Sequence, residues 1–211
     1  MTEKRGKYIV IEGGEGCGKT IQAELLYQYL QEKDIPCFLG REPGGISSAE
    51  EMREILKHNA KDISAIGEVF GFEFARAEFF DKIVSKKLEE GIAVLSDRSG
   101  YSTIAYQGFG GGVDVDWIKS MNQMAMRGVI PDLAFVIDID FLLGLEKEVI
   151  KDRFSKKEIE YHQRVRQGFL QMAKENPYKC RVIPYIPNEI DKMQRLIRVY
   201  VDELFDIKSE S

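Results

Sequence analysis

Short apolar runs alternate along the chain with longer stretches in which apolar residues recur every three or four positions. The apolar runs predict strands at residues 7–12, 36–40, 92–96, 134–139 and 180–183. The periodic stretches predict helices at residues 19–33, 49–57, 66–90, 115–127, 158–175 and 189–205. Because runs such as YIVIE and AFVIDI are apolar almost throughout, we expect a parallel sheet buried on both faces. The alternation predicts a three-layer, doubly wound α/β fold with a five-stranded sheet that binds ligands at the carboxyl ends of its strands.

Length, charge and hydropathy narrow the class of protein. The chain has 211 residues, which suits one compact domain over residues 1–211. Its net charge of −5 does not favour nucleic-acid binding, so an anionic ligand would have to meet local cations. No apolar run approaches the ~20 residues of a membrane helix, and the run at residues 8–11 is too short for a signal peptide. We therefore expect a cytoplasmic protein that binds neither membranes nor nucleic acid.

A complete phosphate-binding motif, G-x-x-x-x-G-K-[ST], lies between the first predicted strand and the first predicted helix. Its glycines let backbone N–H groups surround phosphate oxygens, and the N-terminus of the helix adds partial positive charge. Lys19 would bridge the β- and γ-phosphates of ATP, and the hydroxyl of Thr20 would ligate Mg²⁺. The residues expected to bind the nucleotide are Gly13, Gly14, Glu15, Gly16, Cys17, Gly18, Lys19 and Thr20.

The three cysteines, Cys17, Cys37 and Cys180, have no CxxC or Cys/His ligand spacing, which favours a reducing compartment over disulfides or zinc. Cys17 lies inside the phosphate loop. Its simplest interpretation is a small packing residue. The alternative is a reactive thiol whose pKa is lowered by the nearby helix N-terminus.

Other classes of P-loop protein fit the sequence less well. A GTPase switch usually reads guanine with Asn-Lys-x-Asp, but residues 59–62 have the order Asn-Ala-Lys-Asp. A partitioning ATPase needs a different lysine pattern in the loop, and a motor or helicase needs a longer chain and a nucleic-acid footprint. A small-molecule kinase remains.

Further motifs lie next to the predicted strands. They are REPGG at residues 41–45, Asp97-Arg98, STIAYQG at residues 102–108, Pro131-Asp132-Leu133, Asp138 and Asp152-Arg153-Phe154. Together with the phosphate loop, they resemble bacterial thymidylate kinase from about residue 7 to the C-terminal helix. The resemblance implies the P-loop nucleoside monophosphate kinase fold and a homodimer. It also implies transfer of the γ-phosphoryl group of MgATP to dTMP, a step in dTTP synthesis.

Two residues on one predicted helix are candidates for recognition of the acceptor base. Phe72 and Arg76 are spaced i, i+4, so they share one face of the helix. A flat aromatic ring beside a guanidinium can stack on a pyrimidine and hydrogen-bond its edge. By resemblance, Phe72 stacks on thymine and Arg76 contacts its O4 atom. The alternatives are core packing for Phe72 and a surface salt bridge with Glu73 or Asp81 for Arg76.

The remaining candidates surround the acceptor phosphate and sugar. Asp97, at the end of a strand, can hold Mg²⁺ through water, and Arg98 beside it can pair bidentately with the acceptor phosphate. By resemblance, Arg41 meets the same phosphate, and a tight turn with a cis bond at Pro43 would aim it. Also by resemblance, the other acceptor contacts are Glu15 at the 3′-hydroxyl, Ser102 and Thr103 at the base edge, Tyr106 at the 2′ position and Gln107 beside base and sugar. For the residues from 102 to 107, the alternative is a polar helix start with ordinary packing.

The expected lid, residues 144–157, departs from the family pattern. Because the phosphate loop carries Gly14-Glu15-Gly16 and no arginine, the resemblance implies that the lid supplies one. The lid contains a single arginine, Arg153, with Lys147 and Lys151 where further basic residues are expected. A lysine does not reproduce bidentate recognition of a phosphate. We expect Arg153 to act as a catalytic cation beside Lys19 and Arg98, assisted by Lys147; the alternative is a structural ion pair with Asp152 or Glu158.

Two other functions stay open. One is a P-loop kinase for a different nucleotide or nucleoside acceptor. The other is a degenerate nucleotide-binding protein whose unusual lid has lost catalysis. Release of ADP with dTMP, dUMP, dCMP, thymidine and AMP offered in turn separates these functions.

Overall fold

The computed structural model of the chain describes residues 5–59, 63–148 and 152–208. Five parallel strands form one sheet in the order β2-β3-β1-β4-β5. The strands are β1 (Tyr8–Gly13), β2 (Cys37–Arg41), β3 (Ala93–Asp97), β4 (Leu133–Asp138) and β5 (Cys180–Pro184). The predicted α/β fold with a five-stranded parallel sheet is therefore confirmed. Residues 60–62 and Lys151, which the sequence analysis mentioned, lie outside the described residues.

Helices cover both faces of this sheet. They are α1 (Lys19–Glu32), α2 (Ser47–Glu54), α3 (Ala65–Phe79), α4 (Ser85–Glu89), α5 (Gly100–Thr103), α6 (Val115–Ala125), α7 (Phe141–Lys147), α8 (Ile159–Glu175) and α9 (Ile190–Phe205). Three of them continue into π-helical turns at Ile55–Asn59, Phe80–Val84 and Ile104–Gly110. Polar residues fix the starts of two long helices, because Ser64 and Asp114 accept hydrogen bonds from the first-turn N–H groups of α3 and α6.

The core has two parts, one on each face of the sheet. Side chains alternate along β1, so Tyr8 and Val10 pack on one face and Ile9 and Ile11 on the other. The first part is built mainly from α3, α8 and the π-helical turns after α3 and α5, and the second mainly from α1 and α9. Each fully buried large apolar side chain contributes about 1.5–3 kcal/mol to folding. This burial favours the apolar residues that fill most positions of β1, β3 and β4.

The carboxyl ends of the strands bring the predicted motifs to one edge. Asp97 ends β3 and is in register with Arg41 of β2 on one side and Ile11 of β1 on the other. Asp138 ends β4, next to the strand whose last residue is Gly13. The phosphate loop, REPGG and Asp97-Arg98 therefore meet where the fold class places its ligands.

The observed helices differ from the predicted ones in two places. Neither α5 with its π-helical turn nor α7 was predicted. The first of these segments contains Gly100, Gly108 and Gly110, which weaken a helix in isolation, and it is held by packing against α8. The second has only seven residues, too few to show a helical period.

Two further properties of the described residues concern membranes and metals. None of their helices is long and apolar enough to cross a membrane. The same residues contain no group of three or more His, Cys, Asp or Glu side chains that could hold a metal ion.

Candidate active site

The phosphate loop connects β1 to α1 in a conformation that requires glycine. Gly13 has a φ of +145°, and a Cβ there would lie 2.7 Å from the carbonyl oxygen of Ile137. Gly18 has a φ of +85° directly before α1. The buried side chain of Lys19 folds back over the loop, and its Nζ donates to the carbonyl oxygen of Gly14 at 2.9 Å. The loop thus presents a lysine and a helix N-terminus to the same space.

A carboxylate of the lid uses one N–H group of this loop. The backbone N–H of Gly16 donates to Oε2 of Glu148 at 2.8 Å. Backbone N–H groups in such loops are the groups that bind phosphate oxygens. The carboxylate of Glu148 therefore accepts a hydrogen bond from the kind of N–H group that binds a nucleotide phosphate.

Cys17 is a buried packing residue of the loop. Burial raises the pKa of its thiol, and the nearby Lys19 only partly opposes that effect. The burial and the raised pKa favour the packing interpretation over a reactive thiol with a lowered pKa.

Two oxygen-bearing side chains at the start of α1 and the end of β3 are suited to Mg²⁺. Oγ1 of Thr20 donates to Oδ2 of Asp97 at 2.5 Å. The other carboxylate oxygen, Oδ1 of Asp97, is buried and has no hydrogen-bond partner among the described residues. A hydroxyl and a carboxylate with an unsatisfied oxygen are ligands that Mg²⁺ prefers, so these residues fit the ion.

A cavity that we call the acceptor cavity lies between α3, α5 and the start of the described segment after residue 151. It is lined by Glu15, Glu42, Pro43, Arg53, Lys57, Phe72, Arg76, Arg98, Ser99, Ser102, Thr103, Tyr106, Gln107, Asp152 and Phe154. The structure thus brings together every predicted acceptor-binding residue except Arg41. Phe72 lines this cavity while its ring also packs against Phe154, with centroids 6.0 Å apart.

Arg76 is held rigidly at the wall of the acceptor cavity. Its guanidinium donates to Glu42 at 2.7 Å and to Glu73 at 2.5 Å, and only 2% of the side chain is exposed. Asn122 and Thr103 accept further bonds at 2.8 and 3.0 Å. Burial raises the pKa of Glu42, and the charge of Arg76 opposes that shift. The alternative ion pair with Glu73 is thus present, but it is buried and orients the arginine.

Glu15 connects the phosphate loop to the acceptor cavity. Its carboxylate accepts from the hydroxyl of Tyr106 at 2.8 Å and from Arg98 at 3.4 Å. Burial alone would raise the pKa of Glu15, but Arg98, followed by Lys19, lowers it to about 2. Arg98 also lies over the ring of Tyr106, 5.3 Å from its centroid, and has a φ of +74°. A non-glycine residue in that conformation is strained, which is typical of functional sites.

The other polar residues of α5 and its π-helical turn are bound to buried carboxylates. Ser102 donates to Glu12 at 2.6 Å, and Arg98 donates to Ser102 at 3.3 Å. Gln107 donates to Glu68 at 2.9 Å, which fixes the orientation of its amide. Glu12 was not predicted as a site residue, because the sequence places it at the end of an apolar strand.

The REPGG segment contains the cis bond that was hypothesised. The Glu42–Pro43 peptide is cis. Arg41 pairs with Glu50 at 3.0 Å and lines a second cavity, at the phosphate loop. This loop cavity is lined by Glu15, Gly16, Gly18, Lys19, Thr20, Ile21, Arg41, Glu42, Arg53, Lys57, His58, Asp97, Arg98, Lys147 and Glu148. Arg41 thus lines the same cavity as the phosphate loop, and it is in register with Asp97 at the ends of β2 and β3.

Two cations of this site were missed by the sequence analysis. Arg53 donates to the carbonyl oxygen of Pro43 at 2.9 Å, and Lys57 pairs with Asp152 at 2.9 Å. Both line the acceptor cavity and the loop cavity. The available signal was their i, i+4 spacing in the helix after REPGG, which places two basic side chains on one face.

Arg153 lies away from the phosphate loop. Its guanidinium pairs with Glu68 at 2.8 Å, donates to the carbonyl oxygen of Leu56, and lies over the ring of Phe154. It lines neither the acceptor cavity nor the loop cavity. The ion pair that it forms is with Glu68 rather than with Asp152 or Glu158, because Asp152 binds Lys57. Among the described lid residues, Lys147 is the cation that lines the loop cavity.

Comparison with known proteins gives one consistent family. The family model described as thymidylate kinase matches residues 11–197. A thymidylate kinase of Carboxydothermus hydrogenoformans is 39% identical over 178 residues, which cover 83% of this chain and 88% of that protein. A thymidylate kinase of Symbiobacterium thermophilum is 36% identical over 200 residues, which cover 93% of each chain. The crystal structure of thymidylate kinase from Ehrlichia chaffeensis is similar with a TM-score of 0.77 and 34% identity, covering 92% of this chain and 98% of that one.

Proposed function

The chain belongs to the thymidylate kinase family, and from this premise we propose that its site transfers the γ-phosphoryl group of ATP to dTMP, giving dTDP and ADP. Acceptors other than a pyrimidine deoxynucleotide are not favoured. The acceptor cavity has an aromatic ring on one wall and a fixed guanidinium on another, which suits a flat base with a carbonyl at its edge.

The observation that carries the proposal is that the two cavities meet. Five residues line both of them: Glu15, Glu42, Arg53, Lys57 and Arg98. A phosphate bound on the loop and a phosphate bound in the acceptor cavity would therefore lie side by side, across a boundary rich in cations. Phosphoryl transfer needs little beyond such positioning and neutralisation of charge.

The roles proposed for the protein side chains come from the family resemblance, and their places in the two cavities support most of them. Lys19 neutralises charge on the β- and γ-phosphates, and Arg98 and Arg41 orient the acceptor phosphate for in-line attack. Tyr106 and Glu15 contact the sugar, and Tyr106 crowds its 2′ position. Ser102, Thr103 and Gln107 line the base edge together with Arg76. No strong general base is required, because an acceptor phosphate is largely ionised near neutral pH.

Thr20 and Asp97 would hold Mg²⁺, since their oxygens are adjacent and one carboxylate oxygen lacks a partner among the described residues. The ion, when bound, neutralises charge on the donor phosphates. Exchange of Thr20 for valine should therefore raise the Mg²⁺ concentration at which activity is half-maximal.

The assignment of Arg153 as a catalytic cation stays a prediction. To reach the loop cavity, this arginine would have to leave Glu68 and the carbonyl oxygen of Leu56. Lys147 lines the loop cavity as it stands. If Arg153→Ala lowers kcat by more than about 10²-fold, the lid arginine acts on the transferring group.

The experiment that tests the function is an assay of ADP release with dTMP, dUMP, dCMP, thymidine and AMP offered in turn. We expect the highest kcat/KM with dTMP. Preference for another acceptor would replace the substrate assignment. Tight nucleotide binding without turnover for any acceptor would indicate a protein that has lost catalysis.

We also propose a homodimer, on the strength of family membership and of one apolar surface. Ile66, Phe70 and Phe74 follow each other at helical spacing on α3 and are 55%, 53% and 45% exposed. Trp117 of α6 packs edge-on against Phe70, with centroids 5.6 Å apart. A continuous exposed patch of this kind is typical of a protein interface. The expected cytoplasmic location stays a prediction.

A further inference from the structure

The boundary between the two cavities carries three cations, and they differ in what restrains them. These are the residues with a positive charge that line both cavities: Arg53, Lys57 and Arg98. Arg98 is bound by Glu15, and Arg53 donates to a backbone carbonyl oxygen next to the cis bond. Lys57 reaches the boundary from the π-helical turn after α2, where it pairs with Asp152.

Lys57 is held at this boundary by a carboxylate that is itself fixed. Oδ2 of Asp152 lies 2.9 Å from Nζ of Lys57. The other oxygen, Oδ1, accepts from the backbone N–H groups of Phe154 and Ser155 at 2.8 and 3.2 Å. Only 7% of the Asp152 side chain is exposed, against 22% for Lys57. The buried partner thus positions an ammonium that can still be reached from the cavities.

The lid offers no arginine to the same boundary. The segment 144–157 contains one arginine in its sequence, and Arg153 is bound to Glu68 and to the carbonyl oxygen of Leu56. The described lid residues that line the loop cavity are Lys147 and Glu148, one of each charge. Of the described lid cations, Lys147 lines the loop cavity but not the acceptor cavity, whereas Lys57 lines both and is placed to add a positive charge at their boundary.

We propose that Lys57 is a further catalytic residue of the phosphoryl transfer: its ammonium contacts the phosphoryl group as it passes between the cavities, and Asp152 is its positioning residue. The inference rests on the proposed function. The step breaks the bond from the γ-phosphorus to the oxygen bridging it to the β-phosphorus. It forms a bond from the γ-phosphorus to an acceptor phosphate oxygen. Lys57 keeps its protons throughout and offsets the charge that develops on the oxygens of the transferring group.

The test compares Lys57→Met with the wild-type protein and with Lys82→Met. Lys82 is the control, because it is an exposed lysine paired with the carboxylate of Glu78 and it lines neither cavity. We expect K57M to lower kcat for dTMP by about 10²-fold, since loss of one group that stabilises transition-state charge has an effect of that size. K57R should recover part of the loss, and K82M should keep the wild-type kcat.

A second variant separates catalysis from the loss of an ion pair. In K57M the carboxylate of Asp152 stays buried without its cation, which could itself disturb the site. The double variant K57M/D152N removes that charge and keeps an oxygen that accepts from Phe154 and Ser155. We expect its kcat to remain as low as that of K57M, with an unfolding midpoint close to the wild-type value. Recovery of kcat in the double variant, or a change confined to KM, would overturn the proposal.

The result for the Lys57 variants can be told apart from a failure of the proposed function. If the wild-type protein does not release ADP with dTMP, the function is wrong and the variants are then compared on the acceptor that is turned over. If the wild-type protein is active and K57M retains more than about one third of kcat, the assignment of Lys57 alone is wrong, because group-specific effects on transfer are far larger.

Discussion

At the scale of single residues, the site depends on charges that hold each other in place. Glu15 is ionised because Arg98 and Lys19 outweigh the effect of its burial, and Arg76 is fixed by two carboxylates. These pairs orient the groups before a substrate arrives, which lowers the cost of reorganisation during the reaction. They also make the fold sensitive to acid.

We expect Glu15→Gln to reduce the sensitivity of the folded protein to acid. The pKa of Glu15 is lowered from 4.5 to about 2 in the folded chain. A lowered pKa stabilises the fold above pH 4.5, and the contribution is lost as the pH falls through about 2. Urea unfolding at several pH values should therefore show a shallower loss of the free energy of unfolding in E15Q than in the wild-type protein between these limits. Parallel curves would contradict the charge assignment.

Sequence patterns predicted the site residues better than their contacts. The loop was found from its spacing alone, whereas Asp97, Arg98, Phe72 and Arg76 were found from their positions together with the family resemblance. Arg53 and Lys57 were not, because basic residues on a helix are usually solvated. The partner of Arg153 could not be predicted either, since Glu68 is 85 positions away in sequence and meets it only through packing.

At the scale of elements, the segment from α5 through its π-helical turn is held in place by α8. A Cβ on Gly168 would lie 2.7 Å from the ring of Phe109, so the two elements touch at a glycine. The turn carries Tyr106 and Gln107 into the acceptor cavity. The sequence offered a helix start at residues 102–107 only as an alternative, because the glycines of this segment allow close packing but weaken a helix in isolation.

Gly168→Ala should disturb this contact. We expect the free energy of unfolding to fall by about 1–3 kcal/mol, as for overpacking elsewhere, and KM for dTMP to rise. The neighbouring exposed substitution Gln167→Ala should change stability by less than about 0.5 kcal/mol. Denaturant unfolding and steady-state kinetics measure both effects. Equal stability of the two variants would show that Phe109 moves aside without cost.

The contact between the lid and the phosphate loop gives a second prediction at this scale. Because Glu148 accepts from the N–H of Gly16, it competes with a phosphate oxygen for the loop. We expect Glu148→Ala to lower KM for ATP about fivefold, which corresponds to about 1 kcal/mol. The control is Glu146→Ala, which removes an exposed carboxylate from the same segment. An unchanged or higher KM in E148A would show that the contact does not compete with ATP.

At the scale of the whole molecule, the apolar surface formed by Ile66, Phe70 and Phe74 lies exposed on the outside of the helical layer. It lies on α3, the helix that also carries Phe72 and Arg76 on its inner face. A partner bound there would press on the wall of the acceptor cavity. The association state and the acceptor site are therefore joined by one helix.

We expect the double variant Phe70→Glu/Phe74→Glu to be a monomer. In sedimentation velocity at micromolar concentration, the wild-type protein should sediment at twice the mass of the 24.1 kDa chain, and the variant at the mass of one chain. Val199→Glu places the same charge on an exposed apolar position of α9 and should leave the mass unchanged. A wild-type protein that sediments as a single chain would refute the dimer.

Glu15 belongs to the phosphate loop and to the wall of the acceptor cavity at once, and this has a thermodynamic consequence. A ligand in either cavity must interact with the carboxylate of Glu15 and with Arg98, which is paired with it. The two ligands therefore change each other's dissociation constants by one common factor, because linkage between two sites is reciprocal. If ADP tightens the binding of dTMP, then dTMP retains ADP to the same degree, so the residue that aligns the two substrates also sets how readily a product departs.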